Sequence, residues 1–440
     1  MTTSFWKEAV PRATEFLHQQ TDSPQVRLLT GAGDVHQIGL HTMATHLAVA
    51  QIAATLHLSQ SPEEILALIS PEIKAVMVSG LLETGFMALI PVFEHLNQAG
   101  ITIPFILGGG MVSERFVSQH LAPVYKGPIC FSKRPETSIP LIRAILDGDS
   151  FEFVVGRETV PVESNFPVPI SGKWQPAPVP TISNFDRQIV LSETIDSLWP
   201  WISPRALFQL HLGFQGNFEK ALSDGVCDAV DLLEKVNLVK SLICDAPEIC
   251  QPKAVYQFFR VKSVENEIHF FDQQGSLLTE IAFPRQAELP HRCLTDWISP
   301  QGDVMPVFIT TVAGATQTAA TWFSEGKIEE ALILQHLACQ LAEAFAEKLH
   351  HQLRKKMAIG EEAPLSILDI EQVKYQGRRY SFGYAACPNL ADQHALFSLL
   401  NPFDIEVHLS PIFMMEPEAS VSAMVFHHPS AIYFGVGGKS

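Results

Sequence analysis

The sequence predicts an α/β fold, a doubly wound parallel five-stranded sheet, followed by an α+β region. From Pro24 to about Ser150, short apolar runs alternate with helical patterns, and the connections between them are short. This alternation gives right-handed crossovers and a parallel sheet with helices on both faces. From about Gln188 onward, predicted strands and helices occur in separate groups, which is typical of an α+β domain.

The elements of the first part follow from its periodicity. Apolar runs predict five strands, at Val26–Thr30, Ala54–Leu58, Ala75–Val78, Ile103–Leu107 and Ile129–Phe131. Helical patterns lie between them, at Gly39–Ala53, from Ser61 onward, near Phe86–Asn97 and from Thr137 to Asp147. The segment Ser61–Glu64 is typical of a helix start, because a capping Ser precedes Pro and two acidic residues.

The second part begins after a change in composition. Residues 151–190 are rich in proline, which predicts an extended linker. Beyond it, helices are predicted near Gly225–Leu242 and at Ile328–Lys355, and strands at Ala254–Arg260, Glu267–Phe271 and Leu278–Phe283. We therefore expect an N-terminal helix or extension over residues 1–23, a sheet domain over 24–150, the linker, and an α+β domain over 191–440.

The composition excludes several classes of partner. The formal net charge is -17 and no Lys/Arg block occurs, which excludes non-specific nucleic-acid binding. No apolar run reaches the ~18 residues that a membrane span needs, and no apolar signal-peptide core is present. The 7 cysteines are dispersed, without the spacing of a zinc site. We expect a cytoplasmic protein with reduced thiols and no zinc, which binds neither nucleic acid nor membranes.

A short segment, Asp34–Gly39, follows the first predicted strand with the pattern Asp-x-His-x-x-Gly. Open α/β sheets bind ligands at the carboxyl ends of their strands. Asp34 can accept a hydrogen bond from one ring nitrogen of His36, which leaves the other nitrogen as a fixed metal ligand. Gly39 lets a bulky ligand approach the next helix. For this pattern alone, a local turn or cap contact is the alternative.

Two further loops follow predicted strands at the same edge of the sheet. Ser79 to Leu82 follows the third strand, and Gly108 to Gly110 follows the fourth. In a doubly wound sheet these loops and Asp34–Gly39 border one crevice. Small residues leave space there for a buried ligand tail, to which Ser79 can donate a hydrogen bond. A glycine triplet alone is typical of a tight turn, but the three loops together favour a ligand site.

A second distinctive segment, Arg378–Asn389, lies in the α+β region. An arginine ahead of a Gly-Tyr turn offers a clamp for a carboxylate, beside backbone that a ligand can approach closely and an aromatic wall. A strand with a glycine bulge is the alternative, and spacing alone does not separate the two.

In combination, these motifs resemble those of cobalamin-dependent methionine synthases. Asp-x-His-x-x-Gly, Ser-x-Leu and Gly-Gly occur in the order found in the flavodoxin-like cobalamin-binding domain of that family. Arg379 to Ala385 resembles the Arg-x-x-x-Gly-Tyr-Pro motif of its activation domain, which binds S-adenosylmethionine (AdoMet). Leu341–Glu347 and Asp296–Pro300 add to the similarity. The resemblance covers these two modules and not the homocysteine and folate modules.

The resemblance implies roles for individual residues. His36 is implied as the cobalt ligand of cobalamin, with Asp34 as its partner. The nucleotide tail of cobalamin is expected beside Gly39, Ser79, Leu81, Gly108 and Gly109. In the second module, Arg379 would clamp the AdoMet carboxylate. The other AdoMet contacts are implied at Glu343, Ser381, Gly383, Tyr384, Tyr433 and Phe434. Glu343 as a solvated helix residue, and the last two as strand core, are the alternatives.

The implied function is reductive remethylation of cobalamin with AdoMet, as one component of a methionine synthase-like methyltransferase. The implied partners are separate subunits that bind homocysteine or a methyl donor, and a flavodoxin-like electron donor. Two positions depart from the family pattern: Gly85 stands where a serine is usual, and Ala385 replaces the proline of Gly-Tyr-Pro. The alternative function is a non-catalytic corrinoid carrier, sensor or regulatory paralogue.

Overall fold

The computed structural model describes the chain with several gaps. The described residues are 12–13, 16, 24–31, 34, 36–58, 61–80, 83–109, 113–132, 134–154, 177–286, 289–361 and 365–436. The predicted N-terminal helix over residues 1–23 and the middle of the predicted linker therefore lie largely outside the described residues, as do Leu81 and Gly110.

The first part of the chain forms a five-stranded sheet in the order β2-β1-β3-β4-β5, and every neighbouring pair is parallel. The strands are β1 Val26–Thr30, β2 Ala54–His57, β3 Ala75–Ser79, β4 Phe105–Gly108 and β5 Ile129–Phe131. This order is the flavodoxin-like doubly wound order, so the predicted fold class is confirmed. All five predicted strands are present, with small shifts at their ends.

Helices cover both faces of this sheet. They are α1 Ile38–Val49, α2 Pro62–Ala67, α3 Glu83–Met87, α4 Ile90–Ala99, α5 Glu114–Phe116, continued by a π-helical turn Val117–Leu121, and α6 Pro135–Asp147. Leu28 packs with α1 and α6, whereas its neighbour Leu29 packs with α2 to α4 on the other face. Burial on both faces explains why the strands are continuous apolar runs.

Two helix boundaries test the sequence signals directly. Ser61 caps α2 as predicted, since its hydroxyl accepts the backbone N–H of Glu64 and the Glu64 carboxylate accepts that of Ser61. The single helix predicted near Phe86–Asn97 is instead two helices, α3 and α4. Pro91 explains the break, because proline fits the first turn of α4 and cannot donate a hydrogen bond inside a continuous helix.

The second part forms a seven-stranded antiparallel sheet in the order β11-β14-β10-β7-β8-β9, with β6 pairing beside β7. Its strands are β6 Gln188–Val190, β7 Gln251–Val264, β8 Glu267–Phe271, β9 Leu277–Ala282, β10 Asp303–Ala313, β11 Arg378–Tyr380 and β14 Ser420–Phe426. A small separate pair is formed by β12 His408–Leu409 and β13 Met415–Glu416.

The helices of the second part pack around this sheet. They are α7 Phe218–Ser223, α8 Cys227–Asp245, α9 Ala315–Ser324, α10 Ile328–Lys356, α11 Ile367–Glu371 and α12 Gln393–Leu400, with a π-helical segment Arg205–His211 before α7. The 29-residue α10 packs against β10 and β14 and also against α1 of the first part. It therefore lies between the two sheets. Among the described residues, no helix is long and apolar enough to cross a membrane.

Candidate functional site

The first cavity lies at the carboxyl ends of β1, β3 and β4, and it has a volume of about 560 Å³. Five of the predicted site residues line it: His36, Gly39, Ser79, Gly108 and Gly109. They come from three separate loops, which the parallel register of the strands brings to one edge of the sheet. Residues far apart in the sequence therefore share one crevice, at the place where open α/β sheets bind ligands.

His36 is held from one side by Asp34. Its Nδ1 lies 2.7 Å from Oδ1 of Asp34, and the same oxygen accepts the backbone N–H of His36 at 2.9 Å. Burial opposes protonation of the imidazole, but the hydrogen bond with Asp34 and the nearby Glu418 carboxylate outweigh it and raise the pKa of His36. Because Nδ1 is occupied, Nε2 is the nitrogen that a metal can use, which is the usual arrangement of a metal-bound histidine.

Glycine backbone forms the floor of the cavity. A Cβ at Gly109 would lie 1.7 Å from the carbonyl oxygen of Gly80, and Gly109 has a φ of +143°. A Cβ at Gly39 would approach Oγ of Ser79 to 3.1 Å. A side chain at Gly109 would collide with the backbone of Gly80, so the loops after β3 and β4 can lie this close only with glycine at that position. The residues present fit the predicted cobalamin. The glycines leave space for its nucleotide tail, and the neighbouring His36 has its Nδ1 hydrogen-bonded, as in a histidine that binds a metal through Nε2.

Two residues of the second part complete this cavity, and the sequence did not indicate either of them. His211, at the end of the π-helical segment, and Glu418, before β14, both line it. Oε2 of Glu418 accepts the backbone N–H of Gln37 at 3.0 Å. Burial raises the pKa of Glu418, and the neighbouring His36 opposes that shift. The second part thus closes the cavity with a carboxylate beside the metal-type histidine.

A second cavity, of about 340 Å³, lies on the antiparallel sheet. Six of the predicted residues line it: Glu343, Arg379, Ser381, Tyr384, Tyr433 and Phe434. The seventh, Gly383, is at the adjacent turn, with a φ of +86° and its N–H donated to the carbonyl of Cys387. Tyr433 follows the last strand and packs edge-on against Tyr380, which forms part of the cavity wall.

Arg379 is the charged centre of the second cavity. Its Nη2 lies 3.1 Å from Oε2 of Glu343 and 3.4 Å from Oε2 of Glu347, and both glutamates are on α10. Its Nη1 is buried and has no hydrogen-bond partner among the described residues. A buried guanidinium with an unused donor is costly unless a ligand satisfies it. The arrangement therefore fits a ligand that carries a carboxylate.

The two cavities are neighbours. Glu418 lines the first and Val421 lines the second, and these two residues are three positions apart in one segment. Three residues span at most ~11 Å even when fully extended. The walls of the two cavities therefore approach each other at this segment.

A cluster of two glutamates and a histidine, side chains that can bind a metal ion, lies away from both cavities. Glu267, His269 and Glu280 bring their ligand atoms within 4.8 Å of one another on strands β8 and β9. His269 lies directly opposite Glu280, and Nε2 of His269 is 2.9 Å from Oε2 of Glu267. Cross-strand pairing of charges on a solvated hairpin accounts for this cluster, so we assign it no ligand.

Comparison with known proteins assigns the second part of the chain to a family. Residues 194–439 match the family model described as the activation domain of vitamin B12-dependent methionine synthase. The chain is 25% identical over 464 residues to the methionine synthase of Mycobacterium tuberculosis (strain ATCC 25618 / H37Rv), and 24% identical over 466 residues to that of Mycobacterium leprae (strain TN). Each alignment covers 94% of this chain and 39% of the relative, so the chain spans about two fifths of the length of these relatives.

A solved structure resembles this chain over more than half of its length. The crystal structure of the MetH reactivation domain bound to AdoHcy is 25% identical in sequence, with a TM-score of 0.56. The superposition covers 60% of this chain and 86% of that one.

Proposed function

Because this chain belongs to the family of the vitamin B12-dependent methionine synthase activation domain, we propose that it binds cobalamin and AdoMet in its two neighbouring cavities and supports the reductive remethylation of cobalamin. The observation that carries the proposal is the short segment from Glu418 to Val421, which borders both cavities. Transfer of a methyl group requires donor and acceptor at close range, and the short separation of the two cavity walls supports the proposal.

The first cavity is proposed to hold cobalamin through this chain's own groups. Nε2 of His36 would bind cobalt, while Asp34 holds the opposite ring nitrogen and fixes the orientation of the imidazole. Gly39, Ser79 and the glycines at 108 and 109 would accept the nucleotide tail against bare backbone. Bound cobalamin, in its methylcobalamin form, supplies a cobalt centre that carries a methyl group. We propose no role for zinc.

The second cavity is proposed to hold AdoMet. Nη1 of Arg379 would bind the carboxylate of the ligand, because it is a buried donor without a partner among the described residues. Glu343 borders the cavity at hydrogen-bond range of the same guanidinium and would accept the ligand ammonium group. Tyr384, Tyr433 and Phe434 would cover the ligand and exclude water from it.

The remaining parts of the reaction are proposed to come from other proteins in the cytoplasm. A flavodoxin-like donor would supply the electron. Subunits that bind homocysteine or a methyl donor would use the remethylated group. Neither cavity offers a redox group among the described residues that line it, so this chain would act as the component that binds and positions.

One observation favours a second candidate, a corrinoid carrier or sensor without turnover. Gly85 lies against Gly31 and near Asp34, and a Cβ at Gly85 would be 3.7 Å from that of Asp34. Glycine contributes no hydroxyl that could relay a proton to the pair of Asp34 and His36. Without such a relay, the chain could hold cobalamin without cycling it.

The decisive experiment mixes the full chain with cobalamin, AdoMet carrying a labelled methyl group, and a chemical reductant. The proposal expects labelled methylcobalamin, and expects Arg379→Ala to lose most of it. Arg378→Ala is the matched control, because Arg378 instead donates to the carbonyls of Tyr375 and Gly377. Cobalamin binding without methyl transfer would favour the carrier. Equal transfer by Arg379→Ala would reject the assigned AdoMet site.

The cobalamin site is tested separately by absorption spectroscopy. Bound cobalamin is expected to show the base-off, histidine-on spectrum, in which a histidine replaces the dimethylbenzimidazole base of cobalamin on cobalt. His36→Ala is expected to lose this spectrum. His95→Ala, which removes an exposed histidine of α4, is the control and should keep it. A spectrum identical to that of free cobalamin in the wild-type chain would reject the site.

A further inference from the structure

Arg379 is held by two carboxylates that lie on the same face of α10. Glu343 and Glu347 are four residues apart, so their side chains are neighbours on the helix surface. Both carboxylates approach the same guanidinium nitrogen, Nη2, at 3.1 and 3.4 Å. The other nitrogen, Nη1, is buried and has no hydrogen-bond partner among the described residues. The direction in which Nη1 points is therefore set by how Nη2 is held.

The two carboxylates differ sharply in their surroundings. The side chain of Glu343 is 45% exposed and lines the second cavity, whereas that of Glu347 is 10% exposed. Glu347 is not among the described residues that line this cavity. It contacts Arg379, which does line it. A ligand in the cavity can thus contact Glu343 directly, whereas Glu347 can affect its binding only through the position of Arg379.

The neighbours of Glu347 keep it charged. Burial alone would raise its pKa, but His350, Arg379 and Arg354 together lower the pKa of Glu347 to about 2. Its attraction for Arg379 acts in a buried environment, where charges are screened less than at the surface. In the pair of Arg379 and Glu343 the carboxylate is 45% exposed, and ion pairs with a solvated partner contribute little to stability.

We propose that Glu347 is a positioning residue, which holds Arg379 so that Nη1 faces the second cavity, and that Glu343 is the exchangeable partner that yields to the ligand. This inference rests on the proposed function, because it assigns the carboxylate of AdoMet or AdoHcy to Nη1. Glu347 does not touch the ligand. Its removal therefore weakens recognition of the ligand carboxylate and leaves recognition of the remaining parts intact.

The test compares two ligands by calorimetry on the full chain. AdoHcy carries the amino-acid carboxylate, whereas methylthioadenosine lacks the whole amino-acid group. Glu347→Gln is expected to weaken AdoHcy binding about tenfold, the loss of one charge-assisted contact, and methylthioadenosine binding by less than about twofold. Glu347→Asp keeps the charge and should restore part of the affinity for AdoHcy. An equal loss for both ligands, or no loss for AdoHcy, would overturn the proposal.

A matched control separates positioning from loss of structure. Glu361 lies in the loop after α10 and forms an ion pair with Arg354, near the end of that helix. It is not among the described residues that line the cavity. Glu361→Gln therefore removes a comparable carboxylate and is expected to keep both affinities. If Glu361→Gln reproduces the selective loss of AdoHcy binding, the proposal is wrong.

A readout without ligand keeps this inference distinct from the proposed function. A fixed Arg379 is expected to give a slowly exchanging side-chain N–H signal in NMR, which Glu347→Gln loses and Glu343→Gln keeps. If the wild-type chain binds neither ligand, the proposed function fails, whereas the NMR signals still decide whether Glu347 positions Arg379. Signals that are unchanged in Glu347→Gln would overturn the inference even if AdoMet binds.

Discussion

At the scale of single residues, His336 makes a pH-dependent contribution to stability. It is buried on α10, neither ring nitrogen has a hydrogen-bond partner among the described residues, and burial lowers its pKa to about 3. A pKa below the ordinary value of 6.5 means that stability is present above pH 6.5 and is lost as the pH falls. From pH 7 to pH 5 the loss should reach about 2 kcal/mol, at ~1.4 kcal/mol per pH unit.

Chemical denaturation at both pH values checks this expectation. His336→Leu removes the titrating group, so its stability relative to the wild type should improve by about 2 kcal/mol from pH 7 to pH 5. His394→Leu, at an exposed position of α12, is the control and should show no such change. A His336→Leu variant that follows the wild-type pH dependence would contradict the assignment.

Contacts between residues that are close in the sequence could be predicted, whereas contacts between distant residues could not. Asp34 and His36 are two positions apart, and the hydrogen bond between them is local, so the spacing indicated the pair, with a local turn contact as the alternative. Glu418 contacts Gln37 across 381 positions. A carboxylate in a loop has no local pattern that indicates such a contact, because the fold alone brings the two segments together. Glu347 was missed for the same reason.

At the scale of elements, the loop after β4 depends on Gly109. Gly109→Ala would place a Cβ 1.7 Å from the carbonyl oxygen of Gly80, and it would also strain a φ of +143°. We expect this variant to force the loops after β3 and β4 apart, and to lose both stability and the proposed binding of cobalamin. Gly100→Ala is the control, because Gly100 also has a positive φ but open space around it, and its cost should be only about 1–2 kcal/mol. Similar unfolding midpoints for the two variants would contradict this account.

The elements differ in how well the sequence predicts them. Strands of the parallel sheet are isolated apolar runs between turn residues, and all five were predicted. Strand β10 was not predicted, although it is the fully buried centre of the antiparallel sheet, paired with β7 and β14. It contains Pro306, Thr310 and Thr311, so it shows neither alternation nor an unbroken apolar run. The hydroxyls of Thr310 and Thr311 find hydrogen-bond acceptors only in the folded protein. Thr310 Oγ1, for example, donates to the carbonyl of Ala342 on α10.

At the scale of the whole molecule, the two sheets are joined through α1, α9 and α10. The ring of His41 stacks on that of Phe323 with centroids 4.4 Å apart, and Nδ1 of His41 lies 2.9 Å from Oε1 of Gln335. Phe323 packs against core residues of both parts. These contacts and the hydrogen bond between Gln37 and Glu418 hold the first cavity closed against the second part. The relative position of the two parts therefore decides which groups face the first cavity.

Weakening this junction should uncouple the two parts. Phe323→Ala removes the stacked ring, whose contribution beyond burial is about 0.5–1.5 kcal/mol, and leaves His41 partly uncovered. Calorimetry is expected to show the parallel-sheet part unfolding at a lower temperature than the rest, and small-angle scattering a larger radius of gyration. Phe403→Ala, at an exposed ring that contacts only His408 among the described aromatic pairs, is the control and should change neither. If both variants unfold in the same single transition as the wild type, the ring of Phe323 does not join the parts, and the closure of the first cavity must depend on Gln37 and Glu418 instead.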